Sequence, residues 1–475
     1  MTRNVFVTLV VVLLMSASAV QAQWGPIVRL SETDSVSNGD AKSLVARGQY
    51  VHAVWNDYNG VARCLVYRRS TDAGVSWSNV VSLTGSLPPD YFFTYGAGAN
   101  VHFAYDSSGV RYRRSTDNGA TWSARDSLAP NAGTYSYFTL AANSGGSVFV
   151  AWYWQDSFHV RRSTDDGNSW SSPLPLAKLS YYAWSYINKL ISDYPPYVYF
   201  LLHTNQDTIL LCRSTDNGAS WQAAVPVVVG SSPQNVKLAA DGSNRLYLTW
   251  GDNGTGAYEV YYRRSTDNGT SWSQVTRLTT STGTQPDWLQ TIDDIVYLRY
   301  GVTCKRSFDG GASWESEQWP YQCCGLNAVS EGGRIHALWS GTYRIVYLRS
   351  RDAGTSWTDT TVVSDSDALN RYPHAMTVAG GNVHVLWQDY ESGNYEVLYR
   401  RGAGLADIVE QNPYSVPPVV RGPTVLSSET AVRLARSGSI FDVMGRRNFA
   451  PEPGVYFMRE TQTQAPVVRK VVVAR

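Results

Sequence analysis

Between residues 42 and 401 the chain alternates short apolar runs with short polar turns, in an order that repeats. One run ends on an aromatic residue: Val51-His-Ala-Val-Trp55, Val101-His-Phe-Ala-Tyr105, Leu246-Tyr-Leu-Thr-Trp250, Ile335-His-Ala-Leu-Trp339 and Val383-His-Val-Leu-Trp387. A second run, as in Cys64-Leu-Val-Tyr-Arg-Arg69, leads into a polar turn, and a third, as in Ser78–Leu83, leaves it. A weaker run precedes the first, such as Lys42–Arg47 or Met376–Ala379. Short runs rich in β-branched and aromatic residues, bounded by Gly, Asp and Ser, predict strands. Four strands per repeat is the count of a propeller blade.

The turn is a fixed string, Ser-x-Asp-x-Gly-x-Ser/Thr-Trp, and it occurs seven times. The copies are Ser70–Trp77, Ser115–Trp122, Ser163–Trp170, Ser214–Trp221, Ser265–Trp272, Ser307–Trp314 and Ser350–Trp357. Their tryptophans lie 42 to 51 residues apart, a period that marks a propeller or a solenoid. Asp and Ser side chains can hold the turn's own amides. Gly supplies a positive φ, and the Trp packs beside the turn.

After Tyr395-Glu-Val-Leu-Tyr-Arg-Arg401 no further turn motif follows. The missing strand is expected at the other end of the chain, where Trp24-Gly-Pro-Ile-Val-Arg-Leu30 matches Trp272-Ser-Gln-Val-Thr-Arg-Leu278. The N-terminal strand should therefore complete the last blade and close the ring, which removes open sheet edges. Seven motifs and one composite repeat predict an all-β, eight-bladed propeller over residues 23–404. Seven blades is the alternative, because the repeat around Tyr194–Leu211 is poorly patterned.

Composition agrees with this picture. Aromatic residues make up 13% of the 475, and 39 Gly and 20 Pro supply the turns. Charged residues are only 17%, against about 25% in typical globular proteins. A net charge of +1 argues against a nucleic-acid partner, which calls for a basic excess. Arg3, the apolar run Val5–Met15 and the small residues up to Ala22 predict a secretory signal peptide over residues 1–22. No later segment is long and apolar enough to span a bilayer. Cys64, Cys212, Cys304, Cys323 and Cys324 have no zinc-ligand spacing. Either Cys304 bridges Cys323 or Cys324, or the thiols are buried and free. No metal site and no cofactor is indicated.

The seven turns are Asp-boxes (BNR repeats), so residues 24–402 resemble the sialidase-like Asp-box β-propeller superfamily. In that superfamily the box sits at the blade periphery, which implies a structural role here. The Trp-x-Asp strings Trp55–Asp57, Trp250–Asp252 and Trp387–Asp389 extend the likeness. The resemblance also implies the residues of an exo-sialidase, beginning with Arg-Ile-Pro, and this chain contains no Arg-Ile-Pro. Its Arg doublets, such as Arg68-Arg69, Arg113-Arg114 and Arg263-Arg264, recur from blade to blade and read as scaffold. So do His52, His102, His336 and His384.

Residues that break the repeat are better ligand candidates. Arg299 stands where other blades have Val54, Ala104, Ala151, Thr249, Leu338 and Leu386. A buried Arg needs an anionic partner, either a ligand or a neighbour such as Asp293, Asp294 or Glu317. The loops entering the first strands, and those joining the second and third, should share one face, where ligands bind in this superfamily. They carry Asp57, Asp90, Tyr91, Trp154, Tyr182, Trp184, Asp252, Asp287, Trp288, Arg371, Tyr372 and Asp389. Aromatic faces against sugar C–H groups, with carboxylates bonding hydroxyls, would form a saccharide site.

After Arg401 the period stops. Residues 405–422, with Pro413, Pro417 and Pro418, read as a linker. Short strands over residues 423–475 predict a small β-sandwich. Asn412-Pro413, Phe441-Asp-Val-Met-Gly-Arg-Arg447, Gly454-Val-Tyr-Phe-Met-Arg459 and Arg469-Lys-Val-Val-Val-Ala-Arg475 resemble the type IX secretion C-terminal sorting domain. That resemblance implies the type IX secretion machinery as a partner and a secreted or outer-surface location. The leading expectation is a surface propeller that binds glycans or other surface ligands without catalysis. The alternatives are an exo-acting glycoside hydrolase of sialidase type and a structural surface protein.

Overall fold

The computed structural model describes residues 23–32, 42–58, 63–85, 92–97, 99–130, 138–143, 145–154, 157–178, 187–191, 194–204, 207–229, 232–280, 283–292, 295–301, 303–316, 328–331, 334–340, 344–364, 369–390, 395–403, 424–427, 440–441, 454–460 and 467–474. The chain divides into two units, Met1–Ile408 and Val409–Arg475. Among the described residues every regular element is a strand.

The first unit is an eight-bladed propeller. Each blade is an antiparallel sheet whose strands follow chain order. Blade 1 is Lys42–Arg47, Tyr50–Tyr58, Arg63–Ser70 and Val81–Ser82; blade 2 is Phe92–Ala97, Asn100–Asp106, Gly109–Ser115 and Asp126–Pro130. Blade 3 is Phe138–Ala142, Val148–Trp154, Ser157–Ser163 and Leu174–Lys178; blade 4 is Ile187–Ile191, Val198–His203, Thr208–Ser214 and Val225–Val229. Blade 5 is Gln234–Ala240, Leu246–Asp252, Glu259–Ser265 and Thr276–Arg277. Blade 6 shows three strands among the described residues, Pro286–Ile292, Ile295–Tyr300 and Thr303–Ser307. Blade 7 is Ala328–Glu331, Arg334–Ser340, Ile345–Ser350 and Thr358–Val362; blade 8 is Leu369–Ala379, Asn382–Tyr390 and Tyr395–Ala403.

The N-terminal segment completes blade 8 as expected. Gln23 pairs with Ala403, Trp24 with Gly402, Val28 with Tyr399 and Arg29 with Leu398. The count is therefore eight. The repeat that favoured seven is blade 4. Its second strand, Val198–His203, is apolar nearly throughout and buried along its length up to Leu202, because a radial sheet presents both faces to neighbouring blades. Such a strand loses the apolar–polar alternation that betrays a half-exposed one.

The turn motif works as the sequence predicts. In blade 1 the Ser70 hydroxyl donates to Asp72 Oδ1 at 2.7 Å and accepts from the Gly74 amide at 2.7 Å. The Ser76 amide and hydroxyl donate to the two Asp72 oxygens at 2.9 and 2.6 Å. Two successive residues take positive φ, Ala73 at 57° and Gly74 at 85°. The same Ser-to-Asp bond, 2.7–2.9 Å, closes the other six turns.

Between blades the turn meets an aromatic of the preceding blade. A Cβ on Gly119 would lie 1.7 Å from Tyr67 Oη, and one on Gly167 1.9 Å from Tyr112 Oη. The motif Trp packs edge-to-face on the same ring, Trp122 on Tyr67 at 5.1 Å and Trp170 on Tyr112 at 4.9 Å. In blade 8 Trp24 fills this place against Tyr347, at 5.2 Å. Each tyrosine is steadied from its own blade: His52 Nδ1 lies 2.7 Å from Tyr67 Oη, and His102, His336 and His384 repeat the bond. Where the third-strand tyrosine is missing, a second-strand aromatic reaches across instead. Tyr199 Oη donates to Asn268 Oδ1 and Tyr297 Oη to the Ala353 carbonyl, both at 2.9 Å. The second Arg of four doublets spans the same junction: Arg69 to the Asn118 carbonyl, Arg114 to that of Asp166, Arg264 to that of Gly310 and Arg401 to that of Ala73. The recurrent His and Arg residues are scaffold.

Cys64 and Cys212 are buried, and burial pushes the Cys212 thiol up to about 12. Cys323 and Cys324, the expected partners of Cys304, lie outside the described residues, as does the expected signal peptide. The second unit shows one sheet in the order Thr424–Ser427, Val467–Ala474, Gly454–Glu460, Ile440–Phe441. The outer pair Thr424–Ser427 and Val467–Ala474 is parallel and the rest antiparallel.

Candidate functional site

All seven motif turns follow third strands, so they share one face of the ring. The opposite face carries the ends of the second strands and the starts of the first strands. Asp57, Asp252, Asp287, Trp288, Arg299 and Asp389 all belong to it.

Three of these carboxylates are buried in the blades. Asp57 accepts from Trp55 Nε1 at 3.2 Å. Asp252 accepts from the Gly254 amide at 2.8 Å and pairs in register with Glu259. Asp389 pairs in register with Glu396. Both glutamates are held from the fourth strand of their blade. Arg277 lies 3.1 Å from Glu259, to which Thr279 Oγ1 also donates, and Arg29 lies 2.8 Å from Glu396.

Arg299 is different. It is 8% exposed, and its guanidinium meets Asp287 at 3.3 Å, where that side chain is 38% exposed. The partner is thus a residue of the same blade that was itself a ligand candidate. Asp293, Asp294 and Glu317, the partners weighed from sequence, lie outside the described residues. A register shift between Pro286 and Trp288 accompanies the pairing of Asp287 with Arg299. Opposite Arg299 on the third strand is Cys304. In blade 2 the same cross-strand pair is Ala104 with Tyr112, and in blade 1 it is Val54 with Tyr67. Blade 6 therefore exchanges a small residue plus tyrosine for arginine plus a small residue.

Lys237, on the first strand of blade 5, belongs to the same electrostatic group. Burial lowers its pKa, Asp287 opposes that shift and Arg299 adds to it. At the loop end of these strands Asn235 Nδ2 donates to Gln285 Oε1, tying blade 5 to blade 6. Half-buried Trp288 packs beside Tyr297 and Ile335. Two cations, one exposed carboxylate and two amides thus gather where the first strands of blades 5 and 6 open onto this face, with Trp288 next along the strand from Asp287 and paired in register with Arg299. Lys237 was missed from sequence. Its signal was a lysine set between the apolar residues Val236 and Leu238 of the strand Gln234–Ala240.

A second opening lies further out. Asp252 lines a cleft of about 560 Å³ between the fourth strand of blade 4 and the body of blade 5, together with Trp250, Tyr261 and Arg263.

The remaining candidates fall elsewhere. Asp90, Tyr91, Tyr182 and Trp184 lie outside the described residues. Arg371 and Tyr372 lie in the irregular start of Leu369–Ala379, where the register shifts between Leu369 and Tyr372 and again between Pro373 and Ala375. No group of three or more metal-ligating side chains occurs among the described residues. No helix there is long and apolar enough to cross a membrane.

No protein-family model matches the chain, and no curated protein does. Solved structures similar to it include the polysaccharide lyase Uly1, at 9% identity over 76% of this chain and 89% of that one, with a TM-score of 0.45. YCF48 bound to D1 peptide matches at 13% identity over 80% and 94%, with a TM-score of 0.41. The NanB sialidase from Streptococcus pneumoniae matches at 10% identity over 80% and 70%, with a TM-score of 0.36. Likeness at this level bears on neither activity nor ligand.

Proposed function

We propose that the protein is an exported, surface-held β-propeller that binds glycans without catalysis. The binding face is the one opposite the seven motif turns. The Arg299–Asp287 pair carries this reading. It departs from the blade repeat, and it brings an exposed carboxylate and a guanidinium to the innermost strands beside Lys237 and Trp288. Carboxylate and amide groups accept and donate to sugar hydroxyls, and an indole face covers sugar C–H groups.

Support for binding rather than hydrolysis comes from the carboxylates of this face among the described residues. Glycoside hydrolysis generally uses two, about 5–10 Å apart, with room for substrate between them. Asp57, Asp252 and Asp389 are buried, Glu259 and Glu396 are ion-paired, and Asp287 is engaged by Arg299. The apolar N-terminal run and the C-terminal strings support export by the type IX route and surface attachment.

The test is a glycan array with the mature chain, followed by titration calorimetry on each hit with wild type and Asp287→Asn. Retained glycans that Asp287→Asn releases, with the chain still folded by circular dichroism, are expected. In parallel a fluorogenic sialoside is incubated at high protein concentration. Turnover that Arg299→Ala abolishes would make the protein a hydrolase. An empty array would leave it a structural surface protein.

A further inference from the structure

The outer cleft between blades 4 and 5 breaks the repeat in its own way. Blades 1, 5, 7 and 8 end their fourth strand with a buried hydroxyl that accepts from a third-strand amide. These bonds are Leu65 N to Thr84, Val260 N to Thr279, Ile345 N to Ser364 and Val397 N to Ser31, at 2.9–3.0 Å. Blades 2 and 3 lack it and end the paired part of that strand on Pro130 and Lys178, whereas blade 4 lacks it and ends on a valine. Its fourth strand is Val225-Pro-Val-Val-Val229, and Val229 is left 75% exposed. Across the cleft Val275 is 52% exposed. Apolar surface of this kind lowers free energy only when something covers it.

The interior of the cleft limits what can cover it. The half-buried Tyr261 ring stacks on buried Trp250, with centroids 5.9 Å apart and planes 19° from parallel. Arg263 donates from Nε to the Ser273 carbonyl and from a terminal nitrogen to the Val227 carbonyl, both at 2.7 Å. Asp252 accepts from Gly254. The one cation and the one anion of the lining are both anchored and offset each other, so the cleft selects for no net charge. Thr255 adds a hydroxyl at the rim. A volume near 560 Å³ falls within the usual 300–1,000 Å³ of small-ligand sites, which are likewise mostly apolar with a few fixed polar groups.

We propose that this cleft is a second sugar site, taking neutral sugar units that carry a methyl group, such as 6-deoxyhexoses. The methyl group and one C–H face lie against Val229, Val275 and Tyr261, and the hydroxyls meet Thr255 and the free edge of the Arg263 guanidinium. The choice of a sugar rests on the glycan-binding reading above. The position, neutrality and methyl preference rest on the cleft alone.

Saturation-transfer NMR on the mature chain tests it, with methyl α-L-rhamnopyranoside as probe and methyl α-D-glucopyranoside and methyl β-D-glucuronide as controls. The rhamnoside should receive most saturation at its C6 methyl and bind at least tenfold more tightly than either control. Val229→Asp, at a position whose side chain is mostly in solvent, should weaken it tenfold or more with the chain still folded. Asp287→Asn should leave it unchanged. Equal signals from all three glycosides, or indifference to Val229→Asp, would overturn the proposal. So would a valine-rich peptide that binds the cleft when the rhamnoside does not, which would assign it to an added β-strand. Rhamnoside binding that persists when the array hits fail would uphold the cleft and sink the Arg299–Asp287 site. The converse result would do the opposite.

Discussion

Tyr399 on the last blade sets its hydroxyl directly over Gly74 on the first, so that a Cβ there would lie 1.8 Å from Oη. Trp77 packs on the same ring at 4.8 Å, and His384 Nδ1 lies 2.6 Å from the hydroxyl. This junction, across which the ring closes, uses the same parts as the junctions between blades 1 and 2 and between blades 2 and 3.

Gly74→Ala therefore meets two obstacles, a φ of +85° and the tyrosine. We expect a loss of about 2–4 kcal/mol, read as a lower midpoint in urea unfolding. Gly48→Ala is the control. Its φ is +56° but nothing lies within 4 Å, so only the left-handed penalty of about 1–2 kcal/mol applies. Equal losses at the two sites would show that the tyrosine yields.

Acid should weaken the ring in a defined window. Burial first, and then a nearby Arg69, lowers the His52 pKa from 6.5 to about 4. His102 and His384 are likewise lowered to about 4, with burial as the main cause. The unfolded chain then takes up protons below pH 6.5 while the folded chain does not. Stability is full above that pH and falls as pH drops toward 4, by on the order of 1–3 kcal/mol per histidine. Urea midpoints at pH 8, 7, 6 and 4.5 would show this. A flat profile from pH 7 to pH 4.5 would contradict it.

The motif aspartates act lower down. The Ser220 hydroxyl and amide, then the Ser214 hydroxyl, hold Asp216 at about 2, and the Ser356 groups do the same for Asp352. Their folded values lie below the ordinary 3.8, so their contribution is present above pH 4 and is lost as pH falls to about 2. Asp216→Ala should cost about 1–2 kcal/mol at pH 7 and remove that copy's share of the low-pH loss. An unchanged melting curve at pH 7 would refute the role.

Blade 6 invites a double-mutant cycle. Cys304→Tyr alone forces a ring into space that Arg299 holds, and Arg299→Ala alone leaves Asp287 without its guanidinium and opens a void. Together they recreate the Ala104–Tyr112 pair of blade 2. We expect each single change to cost about 1–3 kcal/mol and the double to cost at least 1 kcal/mol less than their sum. Strict additivity would mean the two side chains do not share one space.

Removing residues 23–30 should open the ring. It deletes fully buried Leu30, the Trp24–Tyr347 contact and the Arg29–Glu396 ion pair, a loss of about 5 kcal/mol. A synthetic peptide of residues 23–32 should restore the melting temperature when added in trans. Failure of the peptide to raise it would place the closing energy elsewhere.

Much of this was legible in the chain because the repeat itself is physical. The Asp and Gly of each turn, the His and Arg of each junction and the match of Trp24 to Trp272 recur for reasons that local chemistry states. Blade 4 was obscured because a strand buried on both faces carries no alternation. The recurrence that marked the histidines as scaffold also applies to Asp57, Asp252 and Asp389, which the structure buries. The partner of Arg299 was not legible, because a register shift at the start of its blade brings Asp287 to it. Val229 gave no warning either. It ends a fourth strand, which four other blades end on a buried hydroxyl and blades 2 and 3 on Pro130 and Lys178, so the strand's end has no fixed residue type.

The pairing of Gln23 with Ala403 has a mechanical consequence. The two ends of the ring leave it side by side, from adjacent antiparallel strands. A pull between them loads the ladder one bond at a time, like a zipper, and opens blade 8 at low force. A pull that enters at the face opposite the motif turns and leaves through the chain after residue 403 bypasses that ladder on the N-terminal side. A tether at the C-terminal end alone would keep the seam unloaded.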